Sequence, residues 1–76
     1  MSHRLLNVFS RQLQQNGHSR RFTVEISPGV GWRVRDQQDA EPARQRVYDD
    51  WHRVELAISR FAIEAAQLAR AGWLEA

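Results

Sequence analysis

Asn16-Gly17 is the feature that most restricts what this chain can fold into. A two-residue type I′ hairpin turn needs positive φ at both central positions, and Asn-Gly is the dipeptide that meets this with least strain. Placing Gln15 opposite His18 then fixes a register in which Phe9 faces Val24, Arg11 faces Phe22 and Leu13 faces Arg20. Phe22, Val24 and Ile26 share one side with Phe9 and Leu13, and that side is expected to be buried. The segment before the turn admits a second reading. Leu5, Leu6, Val8, Phe9 and Leu13 also fit one side of a helix capped by Ser2 and stopped by Gly17. Residues 3–14 are therefore a strand or a helix, and the strand is adopted here.

Ser27-Pro28-Gly29-Val30-Gly31 ends the second strand, because proline removes a donor and glycine supplies unusual backbone angles. Trp32 and Val34 then alternate with Arg33 and Arg35, the period of a strand with one apolar and one polar face. Asp39-Ala40-Glu41-Pro42 makes the next turn, and Ala43 to Tyr48 reads as a short fourth strand. A helix follows. Asp49 or Asp50 can accept from its first free amides, and Gly72 suits its C′ position. Trp51, Val54, Ile58, Phe61, Ala65 and Leu68 recur every three or four residues, with Ala62 and Ala69 widening the stripe. The expected architecture is a single α+β domain over residues 1–76. Residues 1–48 form an antiparallel sheet of three to four strands, residues 49–72 form one long C-terminal helix packed on one face, and residues 73–76 form a tail.

Composition narrows the function classes. Without cysteine the chain has no disulfide framework and no thiolate metal or redox site, so a core worth roughly 3–5 kcal/mol or a partner subunit must hold it together. No run approaches the roughly 18–20 apolar residues of a membrane span, and no apolar core follows the N-terminal basic residues as in a signal peptide. A soluble, cytoplasmic protein with no membrane partner is expected. All eleven basic residues other than histidine are arginines. Residues 1–48 carry eight of them (Arg4, Arg11, Arg20, Arg21, Arg33, Arg35, Arg44 and Arg46) against four acids, a net +4. Residues 49–76 carry three against five acids, a net −2. Such asymmetry marks a face for nucleic acid or for an acidic protein. A GC-rich genome, which favours arginine over lysine, produces the same composition without a ligand.

The inventory for catalysis is poor. His3, His18 and His52 are the only histidines, and none stands with a nucleophile or a paired carboxylate. Within Asp49-Asp50-Trp51-His52-Arg53-Val54-Glu55, His52 and Glu55 lie one turn apart, as a metal or proton-transfer pair would, yet acids are also what any helix start prefers. Gly29 and Gly31 lack the Lys-Ser/Thr and helix start of a phosphate loop. A non-enzymatic protein without cofactor or metal is expected.

The arginines make the better case. If Trp32 and Val34 point to the helix, Arg33 and Arg35 point away, Arg44 and Arg46 share a face, and a hairpin would gather all four into one grid. That grid attracts phosphates, and Tyr48 adds a stacking surface for an unpaired base. The opposing reading is a solvated face whose arginines pair with Glu25 and Asp36. The first functional expectation is thus a binding module for single-stranded or distorted nucleic acid. The alternative is a homodimeric structural or adaptor protein. Leu56 and Ile63 project almost opposite to Ile58, two turns apart, with the small Ser59 and Ala66 beside them. Antiparallel helices of two copies would meet near Ser59.

The strands followed by a helix carrying Ala57, Phe61 and then Gly72-Trp73 resemble the end of a WGR domain, a DNA-associated module found with poly(ADP-ribose) polymerases. The resemblance covers the last third of the chain. The family's Trp-Gly-Arg signature is absent, since this chain reads Gly31-Trp32-Arg33. Four strands and a helix are also similar in topology to Whirly-type single-strand-binding folds, a likeness that carries no residues across. Both imply nucleic acid.

Overall fold

The computed structural model describes residues 6–76; Ser2, His3, Arg4 and Leu5, named above, lie outside them. Five strands, β1 (Leu6–Gln15), β2 (His18–Ser27), β3 (Gly31–Gln38), β4 (Arg44–Tyr48) and β5 (Leu74–Glu75), form one antiparallel sheet in the order β4-β3-β2-β1-β5. The helix α1 (Trp51–Arg70) lies across one face, against β1, β2, β3 and β4. Among the described residues no helix is long and apolar enough to cross a membrane.

From Leu6 onward, the segment left open between strand and helix is a strand. Asn16 and Gly17 adopt φ values of 49° and 82°, as a type I′ turn requires. All four expected pairs, Phe9 with Val24, Arg11 with Phe22, Leu13 with Arg20 and Gln15 with His18, are present. A bulge between Asn7 and Phe9 shifts the register toward the start of β1. Beyond β3, Asp39 takes the left-handed conformation (φ 52°) and its carboxylate accepts from the Ser19 amide at 2.8 Å. That bond, with His18 Nδ1 at 3.3 Å, holds the Asp39 carboxyl below the usual carboxylate range.

The core is made where sheet and helix stripes meet. Leu13, Phe22, Val24 and Val34 come from the sheet, and Val54, Phe61 and Ala65 from α1. The Phe22 and Phe61 rings are 4.9 Å apart, and Phe9 lies 6.3 Å from Phe61. Trp51 departs from the expected stripe. As the first residue of α1 it is half-exposed and outside the buried core, with its ring 5.5 Å from that of Trp32 in β3.

Asp50 is the N-cap, accepting from the His52 amide at 3.0 Å. At the other end the Trp73 amide bonds the Leu68 carbonyl (3.0 Å) and the Gly72 amide bonds that of Ala69 (3.1 Å), with Gly72 at φ 99°. This is a Schellman closure, and its two apolar members, Leu68 and Trp73, both pack against the core. The closure turns the chain back to the sheet, so part of the expected tail is a strand: Leu74 pairs with Gln14 and Glu75 with Leu13. An ion pair between Arg11 and Glu75 and a bond from the Ala76 amide to the Gln12 carbonyl (2.8 Å) secure it. The sheet therefore has one strand more than expected.

Candidate functional site

Side-chain parity decides which arginines meet. In β3 and β4, Arg33 pairs with Val47 and Arg35 with Gln45, while Arg44 pairs with Asp36 and Arg46 with Val34. Directly opposed residues in an antiparallel pair share a face. Val34 is buried under α1, so Arg44 and Arg46 belong to the helix side, and Arg33 and Arg35 to the other. The four-arginine grid expected from the sequence is thus divided into two pairs on opposite faces. Tyr48 leaves the grid too. It pairs with Trp32 on the helix side, half-buried against the core, and offers no stacking surface beside Arg33 and Arg35.

The face that α1 does not cover carries a different third arginine. Thr23 opposes Arg35 and Arg21 opposes Gln37, so Arg21 is a diagonal neighbour of Arg35, about 7–8 Å away in such ladders. Arg33 and Arg35, two residues apart on one strand, are separated by roughly 6.6 Å. Around them lie the hydrogen-bonding side chains Ser10, Gln12, Thr23, Gln37 and Gln45, one acid, Glu25, and the exposed Val47 directly across from Arg33. Sequence reasoning counted Arg21 only as charge. Its signal was nonetheless present: the Asn16-Gly17 register sets Arg21 opposite Gln12, on the side away from Phe22.

The expected neutralisation does not occur. Asp36 accepts from Arg20 at 3.2 Å rather than from Arg35, and Glu64 shares the same guanidinium at 3.4 Å. Glu25 stands directly across from Arg33 without an ion pair. Among the described residues Arg21, Arg33 and Arg35 have no carboxylate partner. Arg21 donates to the Gln12 side-chain oxygen at 3.1 Å, and the covered Nε of Arg33 has no acceptor at all.

His52 and Glu55 are both exposed near the start of α1, and His18 pairs with Asp39 in the turns at the far end of the sheet. Among the described residues no three His, Asp or Glu side chains gather to hold a metal. Leu56, Ser59 and Ile63 stand together on the outer surface of α1, with Leu56 55% and Ile63 60% exposed. No family model, curated protein or solved structure matches the chain.

Proposed function

We propose that this chain is a non-enzymatic binding module that holds the phosphate backbone of single-stranded or distorted nucleic acid on the open face of its sheet. The observation that carries the reading is the triplet Arg21, Arg33 and Arg35, which among the described residues have no carboxylate partners and lie on a face that α1 does not cover. Guanidinium groups fit phosphate oxygens in a planar fork, and the surrounding amides and hydroxyls add neutral hydrogen bonds. With no aromatic ring on this face among the described residues, contacts go to the backbone and binding is indifferent to sequence.

Three phosphate contacts on a single strand give a slope of about −2 in log K against log salt, so a fourfold rise in salt weakens binding roughly 15-fold. Fluorescence anisotropy of a labelled oligothymidylate at two salt concentrations measures this. Replacing Arg33 and Arg35 with Ala together reduces the slope to about −0.7 and leaves the circular dichroism spectrum unchanged. No binding at the lower salt removes the reading, and unchanged affinity in the double variant removes the face.

A second reading rests on Leu56 and Ile63. Two large apolar side chains aligned on the outer surface of a helix, with Ser59 between them, suit the same helix of a second copy about a two-fold axis. Such a dimer leaves both arginine faces outermost, so it is compatible with the first reading. Sedimentation of the purified protein is expected to give a dimer. Leu56→Glu with Ile63→Glu is expected to give a folded monomer. A monomeric parent, or a dimeric double variant, contradicts it.

A further inference from the structure

The arginines that the register moved to the helix side stand over a groove of about 820 Å³ between β4 and α1. Its floor is where the core opens. Val34 and Phe61 line it, and they keep 8% and 7% exposure, whereas the other five core residues are fully covered. Arg44 and Arg46 rise from β4 on one side and Arg60 from α1 on the other. The groove's two carboxylates, Asp36 and Glu64, are both engaged by Arg20, so these three guanidinium groups face the groove without an ion pair among the described residues.

β4 is also an edge strand, and of the two edges it is the better docking rail. Its five residues pair with β3 in unbroken register, whereas β1 at the other side is interrupted by its bulge and partly covered by β5. Among the described residues nothing pairs with its outer side, and the outer amides and carbonyls of an edge strand are a template for an incoming strand. Charge selects which strand. A second copy of β4 paired antiparallel about Arg46 brings Arg46 against its own counterpart and Arg44 beside Tyr48, which like charge disfavours. A strand with acidic side chains is attracted.

We infer that β4 and the groove beside it form a docking site for an extended acidic peptide, which joins the sheet as a sixth strand. Its groove-facing positions, two residues apart, carry acids opposite Arg44 and Arg46 and an apolar side chain opposite Tyr48, which also lines the groove. The main chain supplies affinity through ladder bonds, and the alternation of acid, acid and apolar residue supplies selectivity. This site lies on the face opposite Arg21, Arg33 and Arg35, so it is separate from the proposed nucleic-acid surface.

The test uses a fluorescein-labelled octapeptide with alternating Glu, Glu and Leu at the groove-facing positions and Thr between them, titrated by anisotropy into the intact protein. Saturable binding is expected. Arg44→Glu with Arg46→Glu is expected to weaken it at least about tenfold, with an unchanged circular dichroism spectrum because both side chains are exposed. A peptide N-methylated on alternate residues is expected to lose binding, since it cannot complete the ladder. Arg33→Ala with Arg35→Ala is expected to bind the peptide as the parent does. Absence of saturable binding at millimolar peptide overturns the proposal, as does parental affinity in the charge-reversed variant or in the methylated peptide. Loss of peptide binding in the Arg33 and Arg35 variant also overturns it, by placing the peptide on the sheet face.

Discussion

Gly31→Ala is expected to bring the domain to the edge of unfolding at room temperature. Gly31 opens β3 at φ 125°, a backbone conformation that side-chain-bearing residues rarely adopt. An added Cβ would collide with the Tyr48 carbonyl oxygen and press on the Tyr48 carbonyl carbon at 3.1 Å and the Asp49 Cα at 3.3 Å. These are backbone atoms at the end of β4, so relief requires the β3–β4 pair to part where the chain enters α1. Strain and clash together cost about 3 kcal/mol or more, against a domain stability of roughly 3–5 kcal/mol. Gly29→Ala is the control. Gly29 also has positive φ, 77°, but its Cβ would meet nothing within 4 Å, so only the conformational cost of about 1–2 kcal/mol applies. Urea unfolding of the two variants distinguishes them. Equal loss in both would show that the approach to Tyr48 is not what requires glycine.

Phe22→Ala is expected to unfold the domain as well, by a different route. Phe22 is fully covered, its ring packs on Phe61 at 4.9 Å, and the Arg20 guanidinium lies over the ring at 4.9 Å from its centroid. Removing a buried phenyl costs about 3–5 kcal/mol, as lost transfer free energy plus the cavity left behind. The loss reaches the polar layer too, because Arg20 rests on this ring while it holds Asp36 and Glu64. Phe22→Leu, which refills most of the volume, is expected to remain folded with a loss of roughly 1–2 kcal/mol. Denaturant midpoints of the two variants check this, and a stable Phe22→Ala protein would mean that the core lies elsewhere.

The parts of the fold legible in the sequence are those fixed by local chemistry. Asn16-Gly17 set the β1–β2 register from Phe9 to Gln15, and the helix had a cap, an apolar stripe and a stop in Asp50, Phe61 with its neighbours, and Gly72. The arginine site was less legible because strand parity depends on turn length. One residue more or fewer between Gln38 and Arg44 would exchange the faces of Arg44 and Arg46 with those of Gln45 and Val47. Nothing in the turn composition fixes that number. The lack of ion pairs on the open face was also hidden, since it follows from Arg20 taking Asp36 together with Glu64, a residue 44 positions away. β5 escaped because two residues carry no period; it exists through the Schellman closure that returns Leu74 to β1.

The central claim is that the uncovered arginine face takes up a nucleic-acid backbone. Amide chemical-shift mapping by NMR, with unlabelled oligothymidylate added to the labelled protein at low salt, tests it most directly. The account predicts shifts concentrated on Arg21, Thr23, Arg33, Arg35 and Gln45, with α1 unperturbed and the shifts reversed by added salt. Shifts concentrated on Arg44, Arg46 and Arg60, or on Leu56 and Ile63, or no shifts at all, would contradict it.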